Sequence, residues 1–147
     1  MSVQSIKSGE ADMAITGGVG LMLTPDYTTH LANLSFLNPA GQSRAFDESA
    51  GGYGRGEGCG IIILKRLDKA IADGDNIRAV IRATGANSDG YTQGVTMPSF
   101  EAQAALIKRV YETNGLDFSS TQYVEAHGTG TKAGDPIEAE AIYSTIG

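Results

Sequence analysis

One stretch near the C-terminal end limits what this chain can fold into: Tyr123-Val124-Glu125-Ala126-His127-Gly128-Thr129-Gly130-Thr131-Lys132-Ala133-Gly134-Asp135-Pro136-Ile137-Glu138. It reads as a short apolar strand, a glycine-spaced polar loop and a helix start. Asp135 is placed to cap that helix, Pro136 suits its first position, and Glu138 sits three residues after the cap. If the loop stays extended, His127, Thr129 and Thr131 project to one side, because side chains alternate along an extended chain. Gly128 and Gly130 leave the other side bare, so a ligand or another backbone can approach. A histidine and two hydroxyls on a loop between strand and helix form a candidate reaction site.

Glycine punctuates the rest of the chain as well. The 20 glycines among 147 residues cluster at Gly17-Gly18, Gly51-Gly52, Gly54 to Gly60, Gly85 to Gly94 and Gly128 to Gly134. Such clusters mark tight turns and close backbone packing. Helices are expected from Met1 to Gly9, from Pro25 through Leu34, and over Lys65 to Gly74, Phe100 to Asn114 and Glu138 to Ile146. Strands are expected at Met13 to Thr16, Cys59 to Leu64, Ile77 to Thr84 and Tyr123 to Ala126. The apolar run at Cys59 to Leu64 reads as buried on both faces, as in a layered α/β protein. The alternation of strands and helices gives an α/β class. The length fits one domain or a piece of one, spanning 1–147, and both ends read as cut inside an element.

Composition narrows the function classes. A net charge of −6, with Lys and Arg scattered singly or in pairs, argues against nucleic acid as a partner. No apolar run approaches the ~20 residues that cross a bilayer, so no membrane role is expected. The first ten residues lack a signal-peptide core. A single cysteine excludes an internal disulfide and fits a reducing compartment, so a soluble, cytoplasmic protein is expected. No metal site is expected. Cys59 opens a strand among glycine and isoleucine, without the helix N-terminus or cation that lowers a thiol's pKa, and reads as a small buried hydrophobe. His30 reads as an ordinary helix histidine. Within Gly54-Arg55-Gly56-Glu57-Gly58 a buried Arg55 or Glu57 is expected to hold loops together by hydrogen bonds, because the Lys-Ser/Thr of a phosphate loop is missing and a strand follows.

At Val124-Glu125-Ala126-His127-Gly128-Thr129-Gly130-Thr131 followed by Gly134-Asp135-Pro136-Ile137-Glu138, the chain resembles the central portion of the β-ketoacyl synthase (ketosynthase) domain of type I polyketide synthases. Further blocks are similar in the same order: Ser8 to Ala14 with Gly17-Gly18-Val19, Ser43 to Asp47, Gly52 to Gly58, and Leu64-Lys65-Arg66-Leu67. The resemblance implies a partial thiolase-like fold, layered α/β/α/β/α and truncated at both ends, in a parent that is a homodimer. It implies an acyltransferase that performs decarboxylative Claisen condensation of acyl and malonyl thioesters in polyketide- or fatty-acid-type biosynthesis. No cofactor is bound directly; the substrate rides on the phosphopantetheine arm of an acyl carrier protein. His127 matches the first of the family's two catalytic histidines, and Thr129 and Thr131 match hydroxyls that bond the pantetheine arm. Asp135 and Glu138 match acidic residues that hold a catalytic lysine. The resemblance also implies that the nucleophilic cysteine precedes Met1 and that the second histidine, the lysine and a glycine-rich loop follow Gly147. Cys59 is then not the nucleophile, and this stretch alone is expected to be inactive.

Two other readings stand beside this one. Asp135 and Glu138 also read as a plain capping pair. The loop from Gly128 to Gly134, with Lys132, also reads as a non-catalytic phosphate or nucleotide site at a helix N-terminus, although Asp135 would repel an anion there.

Overall fold

Among the described residues, the one sheet is a pair of glycine-containing strands. The computed structural model describes residues 1–94 and 96–147. In chain order its elements are α1 (Ser2–Ser8), β1 (Met13–Gly20), α2 (Pro25–Asn33), β2 (Gly58–Lys65), α3 (Leu67–Ala72), α4 (Phe100–Thr113), a 3-10 turn (Phe118–Ser120) and α5 (Gly134–Tyr143). The chain divides into two units, Met1–Leu23 with Gly56–Thr84 and Thr24–Arg55 with Gly85–Gly147.

In the first unit, α1 stops at Gly9, whose φ of 79° is left-handed, as expected of a glycine past a helix end. β1 and β2 pair antiparallel, with Met13 opposite Lys65 and Gly20 opposite Gly58. α1 lies against both strands and buries Ile6. The ladder needs glycine at position 17, where a Cβ would sit 2.1 Å from the Gly60 carbonyl oxygen. Beyond β2, the Lys65 ammonium bonds both Asp73, 2.5 Å away, and Asp75, 2.6 Å away. These contacts hold the end of β2 to the residues that follow α3.

Several expectations fail in this unit. The strand from Cys59 to Leu64 is not buried: Ile61 and Ile63 are 61% and 67% exposed, and Cys59 is exposed too. A ribbon of two strands has two faces, and α1 covers too little of them to bury the apolar run. β1 runs four residues past the expected Thr16 and leaves Ile15 and Val19 exposed as well. The expected strand from Ile77 to Thr84 forms no ladder, because a strand needs a neighbour's N–H and C=O groups and no described residue supplies them. Glu57 keeps its expected bonding role but not its burial: it is exposed and accepts the Met22 N–H.

In the second unit, Thr24 and Pro25 open α2 as expected, with the proline in the first turn. Leu37 and Tyr53 form an isolated parallel bridge, in which Asn38 N–H donates to Tyr53 O (3.0 Å) and Tyr53 N–H to Phe36 O (3.0 Å). Ser99 caps α4, its hydroxyl accepting the Ala102 N–H at 3.1 Å. α4 packs against α5, and each buries an alanine, Ala104 and Ala141. After α4, Tyr111 stacks on Phe118 with ring centroids 4.5 Å apart, and its hydroxyl lies 2.8 Å from Thr121 Oγ1. Arg55 is half-buried rather than buried. Its guanidinium lies over the Tyr27 ring, 5.1 Å from the centroid, instead of bonding loops together. The expected strand from Tyr123 to Ala126 also forms no ladder among the described residues, for the same lack of a neighbour. Among those residues no helix is long and apolar enough to cross a membrane.

Candidate functional site

The loop from Ala126 to Asp135 is shaped by two glycines and two carboxylates. Gly128 and Gly130 take left-handed φ values of 49° and 78°, so the loop is not extended and the simple alternation of side chains breaks. Close approach by another backbone does occur. A Cβ on Gly130 would lie 2.7 Å from Arg44 N, and one on Gly128 would lie 3.2 Å from both Ala45 Cβ and a Phe46 ring carbon. Gly52 N–H donates to Gly130 O at 2.9 Å, so the 44–52 segment grips the loop from one side.

The carboxylates hold the loop from the other side. Asp135 is only 4% exposed. One of its oxygens accepts the Gly130 and Thr131 N–H groups at 3.0 and 3.2 Å, and the other accepts Phe46 N–H at 2.7 Å. Glu138, half-buried, accepts His127 N–H at 2.7 Å and Gly128 N–H at 2.9 Å. Neither acts as the expected cap. α5 begins at Gly134 with Ala133 in the cap position, and Thr131 Oγ1 accepts the Gly134 N–H at 3.1 Å. With that amide satisfied by Thr131, Asp135 falls inside the first turn and is free to reach back into the loop.

Thr129 and Thr131 come together, their hydroxyl oxygens 3.3 Å apart and both half-buried. The His127 side chain is exposed, and its imidazole makes no hydrogen bond to a described residue. Four residues before it, the Tyr123 hydroxyl donates to Glu125. That bond, and the charge behind it, push the phenol's pKa above the usual tyrosine range. In the gripping segment the Asp47 carboxyl is held below the usual aspartate range by hydrogen bonds from the Ser49 hydroxyl (2.5 Å) and amide (2.8 Å). Among the described residues no group of His, Cys, Asp or Glu side chains could hold a metal ion. An open depression of about 360 Å³, lined among others by Tyr91, Met97, Phe100 and Ile137, takes in none of His127, Thr129 and Thr131.

The anion-site reading fares poorly against this geometry. The amides a phosphate would need, Gly130 N–H, Thr131 N–H and Gly134 N–H, are already bonded to Asp135 and Thr131, and a buried carboxylate stands where the anion would sit. Sequence reasoning missed the 44–52 segment as part of the site. Its motif blocks were visible, but nothing local in them points to a partner beyond residue 126.

Family models separate this stretch into two matching parts. The model described as "Beta-ketoacyl synthase, N-terminal domain" matches residues 1–70, and that described as "Beta-ketoacyl synthase, C-terminal domain" matches residues 78–147. The chain belongs to the β-ketoacyl synthase family. A highly reducing polyketide synthase of Alternaria cinerariae is 80% identical over 147 residues, which is 100% of this chain and 6% of that protein. A second, from Aspergillus terreus, is also 80% identical over the same shares. Among solved structures, the ketosynthase from module 6 of the bacillaene synthase from Bacillus subtilis 168 superposes with a TM-score of 0.95 at 46% identity, covering 98% of this chain and 26% of that one. Over the stretch it covers, this β-ketoacyl synthase chain has the α/β, thiolase-like ketosynthase fold. It spans 6% of the length of those curated relatives and about a quarter of the solved ketosynthase.

Proposed function

We propose that this chain is the central part of the ketosynthase of a highly reducing polyketide synthase, and that it supplies one half of a decarboxylative condensation site. The observation that carries this reading is the clamped loop. Asp135 and Glu138 bond the amides on either side of Thr129, and the His127 imidazole is exposed and bonded to none of the described residues, in a chain of this family. In the reaction the carbon–carbon bond to the malonyl carboxylate breaks, carbon dioxide leaves, and the electron pair spreads onto the thioester oxygen. An N–H from His127 aimed at that oxygen binds the transition state more tightly than the ground state. The carbanion then attacks the acyl thioester on the parent's cysteine, forming the new carbon–carbon bond and releasing the thiolate. Thr129 and Thr131 hold the pantetheine arm presented by an acyl carrier protein domain, and no other cofactor takes part. Asp135 and Glu138 set the loop's backbone and support the catalytic lysine of the parent. The parent is an acyltransferase, acting as a homodimer in the cytoplasm, and this stretch alone does not condense.

In the full-length synthase, His127→Ala should abolish decarboxylation of carrier-bound malonyl while the protein remains folded. Retained decarboxylation rejects the role given to His127. Thr129→Val with Thr131→Val should raise the KM for carrier-bound malonyl.

A further inference from the structure

We propose that Phe46 is a positioning residue for the His127 loop. The inference rests on the reading of His127 given above. Among the described residues only Ser35 and Phe46 hold a positive φ without being glycine, and Phe46 does so at 56°. An aromatic residue avoids that conformation unless its surroundings impose it. Here two contacts impose it. The Phe46 N–H donates to buried Asp135 at 2.7 Å, on the carboxylate whose other oxygen holds Gly130 and Thr131. The Phe46 ring lies against Gly128, with one ring carbon 3.2 Å from the place a Cβ would occupy. The left-handed turn lets one residue do both, its amide directed at Asp135 and its ring resting on the residue after His127. Phe46 as a residue is 53% exposed, so burial alone does not account for its ring being there. The glycine at 128 and the ring at 46 fit as a pair: a side chain at 128 would displace the ring, and a smaller residue at 46 would leave the His127–Gly128 peptide held by Glu138 with only the Ala45 methyl beside it.

Three variants of the full-length synthase test this. Phe46→Gly keeps the amide and the positive φ and removes the ring; Phe46→Tyr keeps the ring; His127→Ala is the reference. Phe46→Gly should lower kcat for decarboxylation of carrier-bound malonyl by about 10- to 100-fold with little change in KM, as expected for a misplaced catalytic group. Acyl loading of the cysteine and the thermal midpoint should stay near wild type, and Phe46→Tyr should restore decarboxylation. If Phe46→Gly does not accumulate as soluble protein, Phe46→Leu takes its place with the same readouts. Wild-type decarboxylation by Phe46→Gly, with His127→Ala inactive, overturns the inference and leaves the role of His127 standing. Normal decarboxylation by His127→Ala removes that role and the inference with it. A parallel loss of loading, decarboxylation and thermal stability makes Phe46 a folding residue only, and also overturns the inference.

Discussion

Asp135 accepts three backbone N–H groups while nearly excluded from water, so its replacement by the neutral isostere tests one carboxylate against three amides. Asp135→Asn turns an acceptor oxygen into a donor and leaves at least one of those amides facing an N–H. A loss of about 2–3 kcal/mol is expected, read from urea unfolding, since a buried donor left unbonded costs about 1–3 kcal/mol and bonds to a charged acceptor are the stronger kind. Glu138→Gln, at a half-buried site with two bonds, should cost less. Tyr123 gives a pH prediction. Its neutral phenol donates to the Glu125 carboxylate, and ionisation would set two negative charges together, so the pKa is raised. The stabilising contact is fully present below the ordinary tyrosine range and is lost as pH rises through the raised value. Glu125→Gln should bring the Tyr123 titration down, as followed by NMR of carbon-labelled tyrosine. At this scale the motif pointed to the residue types of the candidate site. It could not show that Asp135 reaches back into the loop, because the helix starts one residue before it, or that a phenylalanine 89 positions away is its partner.

Elements were legible to the degree that their cause is local. α1, α2 and α4 appear at the expected places because the Gly9 stop, Pro25 in the first turn and the Ser99 cap each act within a few positions. Strands depend on distant neighbours. The patterns at Ile77 to Thr84 and Tyr123 to Ala126 record a preference for extended, covered backbone, and a preference without a partner makes no ladder. β2 found a partner but too little cover. The β1–β2 pair also supplies a matched test. Gly17→Ala places a Cβ 2.1 Å from the Gly60 carbonyl oxygen, whereas Gly18→Ala meets nothing within 4 Å. Gly17→Ala should strip amide hydrogen-exchange protection from both strands, and Gly18→Ala should leave it near wild type. Equal protection in the two variants would show that the ribbon does not need the close approach at Gly17.

For the molecule as a whole, the exposed side chains of Ile15, Val19, Ile61, Ile62 and Ile63 form an apolar ribbon with no cover among the described residues. The 147-residue chain on its own should self-associate and bind a hydrophobic dye, as measured by light scattering and fluorescence. A monodisperse monomer with a sharp, reversible thermal transition would falsify this. The bond between Phe46 and Asp135 carries a different consequence, one of timing. Its partners are 89 residues apart, and residues 56–84, between them, belong to the other unit. During synthesis, the 44–52 segment leaves the ribosome long before the loop that it grips has been made. Until then its strained phenylalanine has no carboxylate to hold it. The clamp on the His127 loop therefore cannot form until residues 126–138 have been made, and forming it closes a long loop.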